Sequence, residues 1–411
     1  MQYIISPPAA LHAGIWLPAS KSISNRVLIL HALAHGRLSP CNLSNCDDTR
    51  VMINALNGDP ECIDVMAAGT AMRFLTAYLS VTPGRRILTG TQRMKERPIR
   101  ILVDALRTLG AKIYYTDKEG FPPLDIRGEE LTGGTITLAG NVSSQYISAL
   151  LMIGTVLPEG LQLHLTGNII SRPYINLTLQ LMGDFGGRAE WTSDSNITVH
   201  PGGYRYVPFI VESDWSAASY WYQMMALNRS ETPDSIELFG LYPRSYQGDS
   251  RGAEIFSRLG VRTEYTGHGM RITRMGTPVA RLIEDMVEIP DLVQTFAVTC
   301  CLMKIPFRFT GLQSLKIKET DRIAALITEL HKLGYVVRSE QDSILLWNGE
   351  RCPADADPAI ATYEDHRMAM AFAPAALVLH TLKINDPQVV SKSYPNYWQD
   401  LRIAGFTVEQ T

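Results

Sequence analysis

Six times along the chain, a short run of small, polar or charged residues leads into an alanine-rich apolar stretch of helical length. The copies are SKSISNRVLILHALAHG from Ser20, GTAMRFLTAYLS from Gly69, SSQYISALLMIGTV from Ser143, DWSAASYWYQMMAL from Asp214, DLVQTFAVTCCLM from Asp291 and DHRMAMAFAPAALVL from Asp365. The first two starts lie 49 residues apart and the later ones 71 to 77. Repeats of such a period are single supersecondary units that bury their apolar faces against one another, so the fold must be a stack of one unit. A second helix recurs inside the units and stops at glycine before an extended stretch: RPIRILVDALRTLG then AKIYY, DSRGAEIFSRLG then VRTEY, DRIAALITELHKLG then YVVRS. Glycine after the last apolar turn ends a helix, and the β-branched and aromatic residues that follow favour strands. RPYINLTLQLMGDFGG then RAEW, and YWQDLRIAG then FTV, are looser copies, and the segment after Asp47-Asp48-Thr49-Arg50 is the weakest. Each unit is a helix pair with short strands, which sets the class as α/β of the α+β type. Six units divide into three and three, with a boundary near Val211-Glu212, and 411 residues are enough for two cores.

Composition narrows the function. An apolar fraction of 45% with 19% charged residues is that of a globular protein. A formal net charge of −3 gives no reason to expect nucleic acid as a partner, so any cationic feature must be local. The six cysteines form no C-x-x-C pair, and Cys300 and Cys301 sit inside an apolar run, the pattern of a reducing compartment. The start MQYIISPP is neither basic nor followed by a long apolar region, and no apolar stretch reaches membrane-spanning length. A cytoplasmic location without membrane attachment is expected. His31 and His35 have the i, i+4 spacing of two metal ligands but no third ligand nearby, so a helix end is the preferred reading and no metal site is expected.

The helix openings carry the chemistry. A helix start presents unpaired N–H groups and partial positive charge, which suit phosphate and carboxylate, although any single opening Ser or Asp reads first as a cap. Ser20-Lys21-Ser22-Ile23-Ser24-Asn25-Arg26 places two cations and several hydroxyls around such a start, without the spacing of an ATP-binding loop. Arg93-Met94-Lys95-Glu96-Arg97-Pro98 is a cationic loop whose plain reading is a solvated charge run. Ser143-Ser144-Gln145 offers neutral donors. Lys316-Ile317-Lys318-Glu319-Thr320-Asp321-Arg322 sets a carboxylate among three cations. Glu319 and Arg322 fall at i, i+3, which is either an ordinary surface ion pair or a proton-transfer group beside a bound anion. Tyr363-Glu364-Asp365-His366-Arg367 is a second such cluster, whose plain reading is an Asp-capped helix with a surface arginine. These features point to two small phosphorylated anions and no metal.

In chain order, LPASKSISNR, AGTAMR, RMKERPI, SSQYISALLM, SRPYINLTL, QGD, IPD, KIKETDRI, YEDHRMAM and SKSYPNYW resemble the 5-enolpyruvylshikimate-3-phosphate synthases, a family of enolpyruvyl transferases. The likeness covers essentially the whole chain. It implies a two-domain alpha-beta prism with a hinged cleft. Residues 19–211 would form one domain and 1–18 plus 212–411 the other, three units each, the latter completed by the N-terminal strand. The implied reaction moves the enolpyruvyl group of phosphoenolpyruvate to the 5-hydroxyl of shikimate 3-phosphate, with phosphate released and no metal or organic cofactor, in a monomer. By resemblance, Lys21, Ser22, Arg26, Ser143, Ser144, Gln145, Ser171, Tyr174, Asp291 and Lys318 hold shikimate 3-phosphate. Lys21, Gly69, Arg97, Gln145, Arg322, Arg367 and Lys392 would hold phosphoenolpyruvate, in the subsite that the inhibitor glyphosate occupies in this family. Asp291 would take the hydroxyl proton, and either Glu319 or Lys21 would serve the methylene carbon. The sequence departs from the family at Ala67, Phe74 and Ser314, where asparagine, proline and asparagine are common; Ala67 and Phe74 are expected at the floor of the phosphoenolpyruvate pocket. Two alternatives are a UDP-N-acetylglucosamine enolpyruvyl transferase, which would call for a cysteine in a mobile loop, and a catalytically silent phosphometabolite-binding protein.

Overall fold

One order of strand directions recurs in all five sheets. The computed structural model describes residues 1–36, 40–58, 60–229 and 234–411. Among them, three of the four-stranded sheets begin with two parallel strands joined through a helix and then receive a returning antiparallel hairpin whose second strand lies inside. Cys62–Asp64 and Gly84–Thr89 pair in parallel, and Leu124–Gly128 then separates Gly84–Thr89 from Lys112–Tyr115. Gly134–Ala139, Leu161–Thr166, Asn196–His200 and Arg188–Trp191 repeat the order, as do Leu282–Asp285, Phe307–Thr310, Ile344–Trp347 and Arg338–Glu340.

The other two sheets borrow strands from the chain's beginning. His12–Trp16 lies parallel to Ser235–Phe239, with His12 opposite Ser235 and Trp16 opposite Phe239. Gln2–Ser6 fills the inner place between Leu382–Asn385 and Thr407–Gln410, with Gln2 opposite Asn385. The chain accordingly divides into two compact units, Met1–Pro18 with Glu212–Thr411, and Ala19–Val211. The second is an insertion between strands His12–Trp16 and Ser235–Phe239 of the first.

The two helices of a repeat have different jobs, and their sequences say why. Val293–Met303 is apolar all round and is buried at every position from Val293 to Leu302. Trp215–Leu227 and Ser144–Gly154 are likewise enclosed. A helix without a polar face must lie inside, so these helices form the centre of each unit. The second helices are amphipathic: Arg100–Thr108 buries Leu102, Val103, Ala105 and Leu106 and leaves its charged side to water. They end where the sequence predicts, at Gly110 (φ 101°) and Gly334 (φ 85°), in a left-handed conformation open to glycine.

The shortest repeat interval has a structural counterpart. The first unit contributes its helix pair, Lys21–Leu33 and Asp47–Gly58, and, among the described residues, an isolated parallel bridge between Cys41 and Ile210 in place of a sheet. No helix among the described residues is long and apolar enough to cross a membrane.

Candidate functional site

In the Ala19–Val211 unit, the helix openings named by the sequence are tied to one another by side chains. Lys21 is the first residue of its helix and pairs with Asp48 at 3.7 Å. Ser22, partly exposed, gives its carbonyl to Arg26. Arg26 is buried, with its Nε on Thr178 Oγ1 at 2.7 Å, Nη2 on Ser148 Oγ at 3.1 Å and on the Tyr174 carbonyl at 3.4 Å, and its guanidinium 5.2 Å over the Phe74 ring. Every one of those oxygens is neutral. Burial brings the Arg26 pKa down to about 10, so the group stays charged at neutral pH without an acid to cancel it. Ser171 stands at the start of helix Arg172–Asp184 in a left-handed conformation (φ 55°), and Tyr174 follows in its first turn.

A second set surrounds Gly69. Gln145 Nε2 reaches Thr70 Oγ1 at 3.1 Å, and Ser143 caps the helix that opens with Ser144. A Cβ placed on Gly69 would stand 2.8 Å from Arg97 Nη1, so the guanidinium lies directly over this glycine. Buried Arg73 joins the two segments, donating to the Gly69 carbonyl at 3.1 Å and the Pro98 carbonyl at 3.4 Å, and Tyr146 Oη donates to the latter at 2.6 Å. Phe74, named in the sequence as a departure from the family, is fully buried with its ring under Arg26.

The other unit carries the acids. Arg322 opens helix Arg322–Lys332 and is 1% exposed, which replaces the expected surface pair with a buried hub. Its Nη1 donates to Asp291 Oδ1 at 2.9 Å, Nη2 to Glu319 Oε2 at 3.0 Å and Nε to Asp365 Oδ2 at 2.7 Å. Burial would lower its pKa, but the three carboxylates outweigh that and raise it. Lys392 approaches Glu319 Oε1 at 3.1 Å, Lys318 approaches Asp291 at 3.7 Å, and Arg367 Nη2 donates to Asp291 Oδ2 at 2.8 Å. Arg367 is also buried, at 6% exposure, so it is no surface arginine. Asp365 caps its helix through the Arg367 amide at 2.9 Å while holding Arg322. For Asp291, burial favours the neutral acid, yet Arg367, Lys318 and Arg322 together hold it well below the ordinary carboxylate range. Arg322, Arg367, Lys318 and Lys392 are thus interleaved with Asp291, Glu319 and Asp365, a cluster in which an incoming anion can compete with the carboxylates for the cations.

The comparisons with known proteins agree with this chemistry. A family profile described as EPSP synthase (3-phosphoshikimate 1-carboxyvinyltransferase) matches residues 5–58 and 59–401. A 3-phosphoshikimate 1-carboxyvinyltransferase of Bacteroides fragilis is 66% identical over 409 residues, covering 100% of this chain and 99% of its own. The chain belongs to the EPSP synthase family. The Vibrio cholerae protein of the same name is 37% identical, with 97% of this chain and 98% of that one aligned. Among solved structures, EPSP synthase from Acinetobacter baumannii matches in fold with a TM-score of 0.78 at 22% identity, with both chains covered fully. The enolpyruvyl transferase NikO from Streptomyces tendae does so at 0.72 and 16%, covering 100% of this chain and 98% of its own.

Three residues that the structure sets beside these groups went unnamed as site candidates in the sequence. Asp48 faces Lys21, and the acid pair opening the weakest repeat was its one signal. Asp249, in the QGD motif, is buried and accepts from Ser216 Oγ, which in turn accepts from Arg367 Nη2 at 3.4 Å. Tyr220, mid-helix in an apolar run, accepts from Arg367 Nη1 at 3.4 Å through its hydroxyl oxygen; nothing in the sequence marks it.

Proposed function

We propose that this EPSP synthase transfers the enolpyruvyl group of phosphoenolpyruvate to the 5-hydroxyl of shikimate 3-phosphate, with Asp291 and Glu319 as its acid–base pair. The observation that carries the assignment of roles is the buried Arg322, hydrogen-bonded to both acids at once. In this reading shikimate 3-phosphate is held by Lys21, Ser22, Arg26, Ser143, Ser144, Gln145, Ser171, Tyr174, Asp291 and Lys318. Phosphoenolpyruvate is held by Lys21, Gly69, Arg97, Gln145, Arg322, Arg367 and Lys392. Asp291 is ionised but too well paired to be a strong base. When the phosphoenolpyruvate anion takes over Arg367 and Arg322, that pairing weakens and its basicity rises as the hydroxyl proton must leave. The oxygen then bonds to the carbon bearing the phosphate, and Glu319 or Lys21 supplies a proton to the methylene carbon. The product keeps its methylene group, so a proton must leave that carbon again as phosphate departs. The enzyme is read as a cytoplasmic monomer whose two units, three repeats each, are its domains. Phosphate release with both substrates, each omitted in turn, tests the activity; release that persists without shikimate 3-phosphate, or fails with both, overturns it.

A further inference from the structure

Helix Arg322–Lys332 grips the approach to Arg367 in a second place, two turns beyond Arg322. Glu329 is fully buried. Its Oε1 accepts from Tyr363 Oη at 2.6 Å, and its Oε2 accepts from the Ala361 amide at 3.1 Å and from Lys332 Nζ at 2.8 Å. Lys332 also donates to the Ala359 carbonyl at 3.1 Å. Every group held in this way belongs to the segment that leads into Asp365-His366-Arg367, apart from Lys332 itself.

That segment needs holding. Tyr363 and Glu364 are consecutive non-glycine residues in the left-handed region, at φ 54° and 55°. Such conformations persist in L-residues only where the surroundings over-determine them. The turn closes through the Asp365 amide on the Thr362 carbonyl at 2.8 Å, and at its far end Asp365 meets Arg322. One helix thus pins the turn at both ends: Glu329 fixes its entry at Ala361 and Tyr363, and Arg322 fixes its exit at Asp365. An apolar side chain would fill the space of Glu329 without a desolvation cost, so a buried carboxylate here is explained by the donors it gathers. Burial, and the carboxylate beside it, push the Tyr363 phenol up to about 12, so it remains a donor at neutral pH.

We infer that Glu329 is a positioning residue for phosphoenolpyruvate binding, acting through the Thr362–Asp365 turn to aim the Arg367 guanidinium. The inference rests on the reading of Arg367 as a phosphoenolpyruvate ligand. Steady-state kinetics of the full chain test it with three variants. Tyr363→Phe removes one hydrogen bond from a partly exposed ring, so the fold should stand; KM for phosphoenolpyruvate should rise about fivefold, the scale of one ordinary hydrogen bond. KM for shikimate 3-phosphate and the melting temperature should stay close to wild type. Glu329→Gln should raise the same KM further, with Glu329→Asp recovering part of the loss. Arg367→Lys is the control. If it leaves KM for phosphoenolpyruvate unchanged, the reading of Arg367 fails and the inference falls with it. If it raises that KM while folded Tyr363→Phe and Glu329→Gln proteins keep wild-type constants, or lose affinity for both substrates equally, the inference alone is wrong.

Discussion

Asp249 and Asp291 flank the same arginine, and their protons behave in opposite ways. Asp291 is buried but surrounded by Arg367, Lys318 and Arg322, and stays ionised. Asp249 is buried with Ser216 as donor, and its Oδ1 has no hydrogen bond among the described residues. Burial, then the charge of Asp291, carry its pKa up to about 7 against the pull of Arg367, with Asp214 adding to the rise. The fold therefore favours neutral Asp249, so its stabilising contribution is largest below about pH 4 and is lost as pH rises through about 7. Asp291 works in the other direction, stabilising above the ordinary carboxylate pKa and failing as pH drops below it. Thermal melts from about pH 8 to about pH 5 should show a rising midpoint that Asp249→Asn flattens; an unchanged slope in that variant would show that Asp249 does not titrate there. Glu319→Gln tests the chemistry. It should lower kcat by about 10²–10⁴-fold. Removing one negative charge beside Arg322 and Lys392 should leave phosphoenolpyruvate affinity intact or tighter. A kcat near wild type would take Glu319 out of proton transfer. Gly69→Ala brings a methyl within 2.8 Å of Arg97 Nη1, and the guanidinium is what must move. That group ends a flexible, partly exposed side chain, so the fold should tolerate its displacement while the guanidinium leaves its assigned place on phosphoenolpyruvate. Inhibition by glyphosate, competitive with phosphoenolpyruvate, should weaken more than phosphoenolpyruvate binding itself, and an unchanged ratio of the two affinities would count against a pocket shaped by Gly69.

Helix Gly69–Ser80 shows what a sequence can reveal about an element and what it conceals. Its start and its burial are legible from small residues leading into an apolar run. The direction of each side chain is not, because consecutive residues on a helix point about 100° apart. Arg73 turns back to the Gly69 and Pro98 carbonyls, whereas its neighbour Phe74 lies under Arg26. The same limit hid Asp48 and Tyr220, whose partners Lys21 and Arg367 are 27 and 147 residues away. By contrast, Glu319 with Arg322 and Asp365 with the Arg367 amide are short-range pairs, and short-range spacing revealed them. The Phe74 contact carries its own prediction. A cation over a ring face in a buried site contributes about 0.5–2 kcal/mol, so Phe74→Leu should raise KM for shikimate 3-phosphate by about 2–30-fold. KM for phosphoenolpyruvate should move less. The opposite order in the two constants would return Phe74 to the phosphoenolpyruvate side.

At the scale of the whole chain, the repeat was the legible part because each copy solves the same burial problem with the same pattern of apolar and stop residues. Where strands come from distant parts of the chain the pattern is silent: nothing local to Gln2–Ser6 shows that it pairs between Leu382–Asn385 and Thr407–Gln410. The division into two units has a consequence for binding. Arg26 is bound only by neutral oxygens among its described hydrogen bonds, and in the other unit Arg322, Arg367, Lys318 and Lys392 surround Asp291, Glu319 and Asp365. The residues assigned to phosphoenolpyruvate are split, with Lys21, Gly69, Arg97 and Gln145 in one unit and Arg322, Arg367 and Lys392 in the other. Those assigned to shikimate 3-phosphate also come from both. Under the proposed assignment, a ligand that draws on both units would fix one with respect to the other, and the next ligand would find its cations already gathered. Phosphoenolpyruvate should accordingly bind weakly alone and more tightly after shikimate 3-phosphate, with a coupling of about 1–3 kcal/mol. Linkage requires the same factor in reverse, so shikimate 3-phosphate must tighten equally when phosphoenolpyruvate is present. Calorimetry on Glu319→Gln, in which turnover is suppressed, measures both legs of the cycle. Equal affinities with and without the first ligand would mean that each substrate is held by one unit alone, and the split assignment would have to be abandoned.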